Sequence, residues 1–505
     1  MPRPWVALGG LIPSLLNRRA FLRRAASSSL FALLPRRLRS QRAERTAILY
    51  VTDAVEKHTA RPPLFWTRPT APVPGASIQI DSTRQYQPIL GFGAAFTEAA
   101  CFLLSGMPAA ARRAVLTEMY SPQQMNLSMG RCCVGASDYA RSVYCYDDVA
   151  GDMNLDHFSL KHDEAYILPI LREIRGINPN LFLMASPWSP PGWMKTYGTT
   201  FGGRTKENYL DPYTHALWDF CNGSMLGGWM SEEFLDVYSR YLEKFLQGYA
   251  DAGVPIHAIA SQNEVEASQD GRMPACRWPA ELEAAFVRDH LGPRLRANHH
   301  QTQIWLLDHN YNLYQRVAWQ LEDKQLASYS DGVAWHGYVG TPDQMSILHQ
   351  KHPEIPFYWT EGGGFIDDPE YTRDWAKWGG ILTDALENWC RCAITWNLML
   401  DSHGKPNLGP YTCGGLVTLR EDGSLLKSGQ CHALRHFSQH LQRDSIRIGS
   451  WSDAPGLRHL AVQNPDGGFA LVITNPGEGK DFRIVHAGQQ ISVSLPRNAI
   501  ATVAW

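Results

Sequence analysis

Eight short apolar runs recur along the middle of the chain, at 89–94, 130–135, 181–185, 256–260, 304–307, 332–335, 356–359 and 393–396. Their brevity and their Gly, Pro and polar borders read as strands buried on both faces rather than as helices. Between them the apolar positions fall at helical spacing. In the clearest case Phe234, Val237, Tyr238, Tyr241, Leu242, Phe245 and Tyr249 share one face. Ser231 is placed to cap that helix, Glu232 and Glu233 suit its positive end, and Gly253-Val254-Pro255 stops it. Further helices are expected over 107–119, 163–175, 280–291, 343–352 and 375–390. Eight strands with interleaved helices predict a (β/α)8 TIM barrel over 88–440.

After about residue 445 the texture changes to short β-type runs at 460–462, 469–474, 482–485, 490–495 and 501–505. Turn clusters such as Asn464-Pro465-Asp466-Gly467-Gly468 separate them. This predicts a C-terminal β-sandwich over 441–505. Residues 46–87 hold more extended material, including Ser77-Ile78-Gln79-Ile80, expected to join that sheet, and the Pro-rich stretch 53–75 reads as a connection. There is no internal repeat.

Composition fits a large folded core. Of 505 residues 44% are hydrophobic and 11% aromatic, which excludes disorder as the main state. The 17 tryptophans suit sugar faces as well as cores. A net charge of −2 offers no basic surface for nucleic acid. The charge is unevenly spread, however: residues 1–45 hold ten Arg and no Lys against the single acid Glu44. Asn17-Arg18-Arg19-Ala20-Phe21-Leu22-Arg23 with the apolar run that follows reads as a twin-arginine export signal, so the protein is expected to be periplasmic or extracellular; a basic arm is the other reading. No run of about 18 apolar residues predicts a membrane span. The ten cysteines lack zinc spacing and are too sparse for a disulfide scaffold, although one or two bridges would be possible after export.

Polar and aromatic residues collect where the barrel strands end. The fourth run leads into Ser261-Gln262-Asn263-Glu264 and the seventh into Thr360-Glu361-Gly362-Gly363-Gly364. The sixth leads into His336-Gly337-Tyr338, the third into Ser186-Pro187-Trp188 and the second into Ser137-Asp138. In a barrel those ends share one rim, where active sites are built. Two carboxyl groups on one rim suit glycosidic cleavage, one protonating the leaving oxygen and one meeting the charge that develops at the anomeric carbon. Asn263 adds a neutral amide for a sugar hydroxyl.

The chain resembles glycoside hydrolase family 30, the family of the lysosomal acid glucosylceramidases and their bacterial relatives. The resemblance rests on Gly91-Phe-Gly-Ala-Ala-Phe-Thr-Glu-Ala-Ala100, Ser137-Asp-Tyr, Ala185-Ser-Pro-Trp-Ser-Pro-Pro-Gly-Trp-Met-Lys195, Gln262-Asn-Glu264, Trp335-His-Gly-Tyr338, Trp359-Thr-Glu-Gly-Gly363 and Trp396-Asn397. It implies a barrel fused to a β-sandwich, with Glu264 as acid/base and Glu361 as nucleophile. It also implies that Asp138, Trp188, Asn263 and Trp396 hold the sugar, that His336 and Tyr338 flank the carboxylates, and that Arg131 and Asn397 support the site. Val265-Glu266 after Asn-Glu, and Gly-Ala-Ala-Phe-Thr-Glu in the first motif, depart from the lysosomal pattern and leave ceramide specificity open.

Other chemistries lack their motifs. Gly91-x-Gly93-x-x-Phe96 misses the third glycine of a dinucleotide fingerprint, and neither Gly-x-Ser-x-Gly nor His-Glu-x-x-His occurs. No cofactor or metal is expected. The reading is a retaining glycoside hydrolase acting on a β-glucoside or β-glucan, with glucosylceramide first. Its alternatives are a β-1,6-glucanase, a transglycosylase or an inactive glycan-binding barrel. Glu264 is expected to be held protonated by nearby negative charge and burial. Glu98 and Glu266 read as structural or solvated, and loops at 198–228 and 402–413 are expected to shape the outer subsites.

Overall fold

All eight apolar runs become parallel strands of one closed barrel in the computed structural model. It describes residues 45–70, 75–196, 225, 227–267, 272–298 and 300–505. The twin-arginine reading, and most of the loop at 198–228, lie outside the described residues. In chain order the barrel strands are Gly91–Phe96, Met129–Val134, Phe182–Pro187, Ala258–Ala260, Gln303–Asn310, Gly332–His336, Phe357–Glu361 and Cys390–Thr395. The eighth pairs with the first and closes the ring.

Side chains fill the barrel interior. Met129, Met184, Trp305, Ala334, Tyr358, Cys392 and Ile394 form one buried cluster, with the Trp305 and Tyr358 rings stacked 3.7 Å apart. The outward residues of the same strands pack against the surrounding helices, so both faces are apolar and the runs are continuous. Gly93 is required by contact: a Cβ there would stand 1.9 Å from the Met129 carbonyl oxygen.

The fifth strand is longer than its apolar run predicts. It continues through a bulge, with the register shifting between Leu307 and His309, and both Leu307 (φ 75°) and Asp308 (φ 44°) have left-handed backbone. Such bulges turn a strand and re-aim its side chains, and here the residue turned inward is Asp308.

The helices depart from expectation at their ends. The helix expected over 107–119 is the second of a pair, Glu98–Gly106 and Ala109–Tyr120, broken where Pro108 removes a backbone donor. The helix after Ser231 opens as a 3₁₀ turn, Glu232–Phe234, before Leu235–Asp251, and the Ser231 hydroxyl meets the Glu233 carboxylate at 3.3 Å instead of capping the backbone. The helix expected over 375–390 ends at Glu387, freeing Cys390 to begin the eighth strand.

The C-terminal strands Ile446–Ser452, Arg458–Gln463, Phe469–Asn475, Lys480–His486, Gln489–Leu495 and Ala499–Ala504 build a second layer system. Thr46–Thr52 joins it beside Ala499–Ala504, and Ser77–Pro88 lies between Ile446–Ser452 and Lys480–His486. Leu49, Val51, Ile80, Ile448, Leu471, Ile473, Phe482, Ile484, Val493 and Val503 form its core. Cys101, Cys132, Cys133, Cys276, Cys390, Cys392 and Cys431 are buried as free thiols. Among the described residues no helix is long and apolar enough to cross a membrane.

Candidate active site

Arg131 organises the mouth of the barrel. It sits within the second strand, fully buried, where the resemblance placed a support. One of its amino groups is hydrogen-bonded to Glu361; the other donates to Asn263 Oδ1 at 2.7 Å and to Asp308 Oδ2 at 2.6 Å. Its guanidinium carbon lies 4.7 Å from the Trp188 ring centre and 5.6 Å from that of Trp396.

Asp308 is the second hub, and it was missed in the sequence because the apolar run was closed at Leu307. The polar triplet Asp308-His309-Asn310 flanks that run just as Asn-Glu and His-x-Tyr flank others. Asp308 accepts hydrogen bonds from Ser186 Oγ at 2.5 Å, Thr360 Oγ1 at 2.6 Å and His336 Nε2 at 3.2 Å, besides Arg131. Burial alone would raise its pKa, but the charges of Arg131 and His336 override this and hold it far below the carboxylate range.

His336, the last residue of the sixth strand, joins both hubs to the glutamates. Its Nε2–H faces Asp308 and its Nδ1–H faces Glu264 Oε1 at 3.3 Å. Burial disfavours the imidazolium, but the carboxylates of Glu361, Asp308 and Glu264 outweigh it and push the ring up to about 9. Glu264 has left-handed backbone (φ 51°), and its amide donates to the Asp308 carbonyl at 2.9 Å, which turns the side chain over the mouth. Glu361 ends the seventh strand and accepts from Tyr338 Oη at 3.0 Å. One carboxylate oxygen each from Glu264 and Glu361, and a ring nitrogen of His336, all lie within 4.8 Å of one another.

One expectation is reversed. Burial does favour a protonated Glu264, but the hydrogen bond from His336 and the positions of His309, His336 and Arg131 outweigh it, and its pKa is lowered. Glu264 and His336 form a hydrogen-bonded pair that holds one proton between them.

The cavity above these groups has a volume of about 440 Å³ and is lined by Asp138, Trp188, Asn263, Glu264, Tyr338, Glu361 and Trp396, among others. The Trp188 and Trp396 rings stack 5.1 Å apart at 23° on one side. Asp138 lies there too, with its carboxyl pushed far up by burial and then by the charges of Glu361 and Glu264. Its Oδ1 is buried without a partner among the described residues, so it suits a ligand hydroxyl. Asn397 stands apart from the cavity, fully buried, accepting from the Thr97 hydroxyl at 3.0 Å. Tyr411 and Cys413 line it from the loop at 402–413 that was expected to shape the outer subsites, and Phe365 lines it from the segment after the seventh strand. Glu266, read as structural or solvated, lines the cavity as well.

A family model described as the glycosyl hydrolase family 30 TIM-barrel domain matches residues 89–441, and the beta sandwich domain of that family matches 444–503. The chain belongs to glycosyl hydrolase family 30. Among its family 30 relatives is the putative glucosylceramidase 1 of Caenorhabditis elegans, 27% identical over 453 residues, 85% of this chain and 82% of that protein. The endo-1,6-beta-D-glucanase of Neurospora crassa is 29% identical over 435 residues, 82% of this chain and 85% of its own. A solved endo-beta1,6-glucanase superposes with a TM-score of 0.80 at 27% identity, covering 91% of this chain and 99% of that one. This family 30 member is therefore a glycoside hydrolase, and its relatives include proteins named as glucosylceramidases and as endo-1,6-beta-D-glucanases.

Proposed function

We propose that the protein hydrolyses β-glucosidic bonds with retention of anomeric configuration, Glu361 acting as nucleophile and Glu264 as acid/base. The observation that carries this reading is the 4.8 Å limit on the Glu264–Glu361–His336 oxygens and nitrogen. Retaining enzymes hold their carboxyl groups ~5–5.5 Å apart, whereas inverting enzymes need about 6.5–9.5 Å to seat a water between them.

The glucosyl ring lies against Trp188 and Trp396, with its hydroxyls at Asp138 and Asn263. Glu361, steered by Arg131 and Tyr338, attacks the anomeric carbon as the glycosidic bond breaks. The proton for the leaving oxygen comes from the His336–Glu264 pair. When substrate dries the mouth, a neutral pair is favoured over an ion pair, and the proton crosses from His336 Nδ1 to Glu264 Oε1 and on to the leaving oxygen. Bond formation also removes the charge on Glu361 that helps to hold the imidazolium. In the second step Glu264 takes a proton from water, the resulting hydroxide releases the sugar from Glu361, and the proton returns to His336. The names of the relatives point to glucosylceramide or β-1,6-glucan as the natural substrate.

Following an aryl β-glucoside by proton NMR tests this reading. β-Glucose is expected as the first-formed sugar, with the α anomer appearing only by mutarotation. α-Glucose first would overturn retention, and binding without hydrolysis would favour an inactive barrel.

A further inference from the structure

A second cavity of about 530 Å³ adjoins the catalytic one, lined by Trp229, Val265, Glu266, Arg277, Trp278 and Arg316, with Pro279 and Ala280 beside them. Glu266 borders both cavities, so one side chain stands between them. The second cavity begins immediately after Glu264 in the chain, on the side of the proposed proton donor. Trp188, Trp396 and Asp138 border only the catalytic one. A bond broken between the glutamates sends its leaving part toward the donor, which is toward Glu266.

The lining is fixed and mixed in character. Arg316 is nearly buried: it donates to the wholly buried Glu283 at 2.9 Å and to the Trp278 carbonyl at 2.7 Å, and it meets Glu266 at 3.3 Å. Glu283 in turn accepts from Ser261 Oγ at 2.8 Å and from the Leu307 amide at 3.0 Å, tying this edge to the strand ends beneath Glu264 and Asp308. Across the cavity the half-buried Trp229 indole has the Arg277 guanidinium 5.3 Å from its ring centre. An indole beside two guanidinium groups and a carboxylate matches a pyranose, which has an apolar C–H face and a rim of hydroxyls. A lipid chain laid here would strip water from Glu266 and Arg277 without giving them hydrogen-bond partners.

We propose that this cavity binds the leaving-group sugar, so that the enzyme acts on β-linked gluco-oligosaccharides in preference to glucosylceramide. The proposal rests on the assignment of Glu264 as proton donor. Its test compares kcat/KM on β-glucosyl fluoride, whose leaving group has no ring to lie in this cavity, on a β-1,6-linked glucotriose and on detergent-dispersed glucosylceramide. The wild-type protein is expected to favour the trisaccharide over the lipid. Trp229→Ala should lower kcat/KM on the trisaccharide by about tenfold or more, mainly through KM, and change the glucosyl fluoride rate by less than about twofold. Trp229→Phe, which keeps an aromatic face, should recover most of the trisaccharide rate. Equal effects on both substrates, an unaffected trisaccharide rate, or a wild-type preference for glucosylceramide would overturn the subsite. Failure of the wild type to cleave the glucosyl fluoride would instead overturn the catalytic reading.

Discussion

Histidines gather both at the barrel mouth and at the seam between the barrel and the C-terminal sheet, and their surroundings give them different charges. At the mouth His336 faces Asp308, Glu264 and Glu361 and is pushed up to about 9. At the seam the helix Gly429–Ser438 and the residues after it bring His432, His436 and His440 against the strands Thr46–Thr52 and Ala499–Ala504. His436 bonds to the hydroxyls of Thr52 at 2.8 Å and Thr502 at 3.0 Å, His440 lies 3.0 Å from His58, and Tyr50 stacks on His58 and packs at a tilt of 45° against His440. Lys57, Lys427 and Arg435 also face this group, with Glu118 as the acid beside His432. Burial, and then these positive neighbours, lower His432 and His440 to about 4 and His58 to about 3, and hold His436 well below its ordinary value. A ring among carboxylates stores a proton; a ring among hydroxyls and other histidines serves as neutral packing.

The largest expected effect lies at the mouth. Glu264→Ala should lower the rate on a glucoside with a poor leaving group by about 10²–10⁴-fold. A good aryl leaving group should lose much less, because it departs without a proton. Equal losses across leaving groups would remove Glu264 as the donor.

Next in size is the pH profile. Because the His336–Glu264 pair shares one proton, the alkaline fall in kcat/KM should follow the ring, near 9. His336→Gln removes that store and leaves Glu264 to hold the proton alone, so the fall should move to lower pH by more than about one unit. An unmoved alkaline limb would contradict proton sharing.

The smallest effect belongs to the seam. Its histidines are held neutral, with pKa values below the unfolded value of 6.5, so the unfolded chain binds more protons in acid. Stability should therefore fall as pH drops from about 6.5 toward about 4, by up to about 1.4 kcal/mol per pH unit for each such histidine. His436→Gln should reduce the steepness of the thermal midpoint's dependence on pH over that range, whatever it does to the midpoint at neutral pH. Parallel curves for variant and wild type would show that the ring is not held neutral.

The barrel was legible because strands covered on both faces must be apolar throughout, and such runs stand out between amphipathic helices. The glutamates, Asp138, Trp188 and His336 were legible because they follow those runs directly. Asp308 follows its run just as directly, but its role was not legible, because the bulge that turns it inward is a backbone event that the apolar pattern does not mark. The strand Ile446–Ser452 escaped for a different reason, since Arg447, Gly449 and Ser450 interrupt its hydrophobicity and pairing with Ser77–Pro88 is what makes it a strand. The charge of Glu264 depends on which ring nitrogen faces it across 3.3 Å, a fact of packing rather than of spacing.

Trapping the glycosyl group tests the central assignment most directly. A 2-deoxy-2-fluoro-β-glucoside with a good leaving group should inactivate the enzyme, since the fluorine slows both attack and release while the leaving group restores only the attack. Peptide mass spectrometry should then place one fluoroglucosyl group on the peptide that carries Glu361, and Glu361→Gln should abolish both labelling and turnover. Label on Glu264, or steady turnover of ordinary glucosides by the Glu361→Gln protein, would contradict the account.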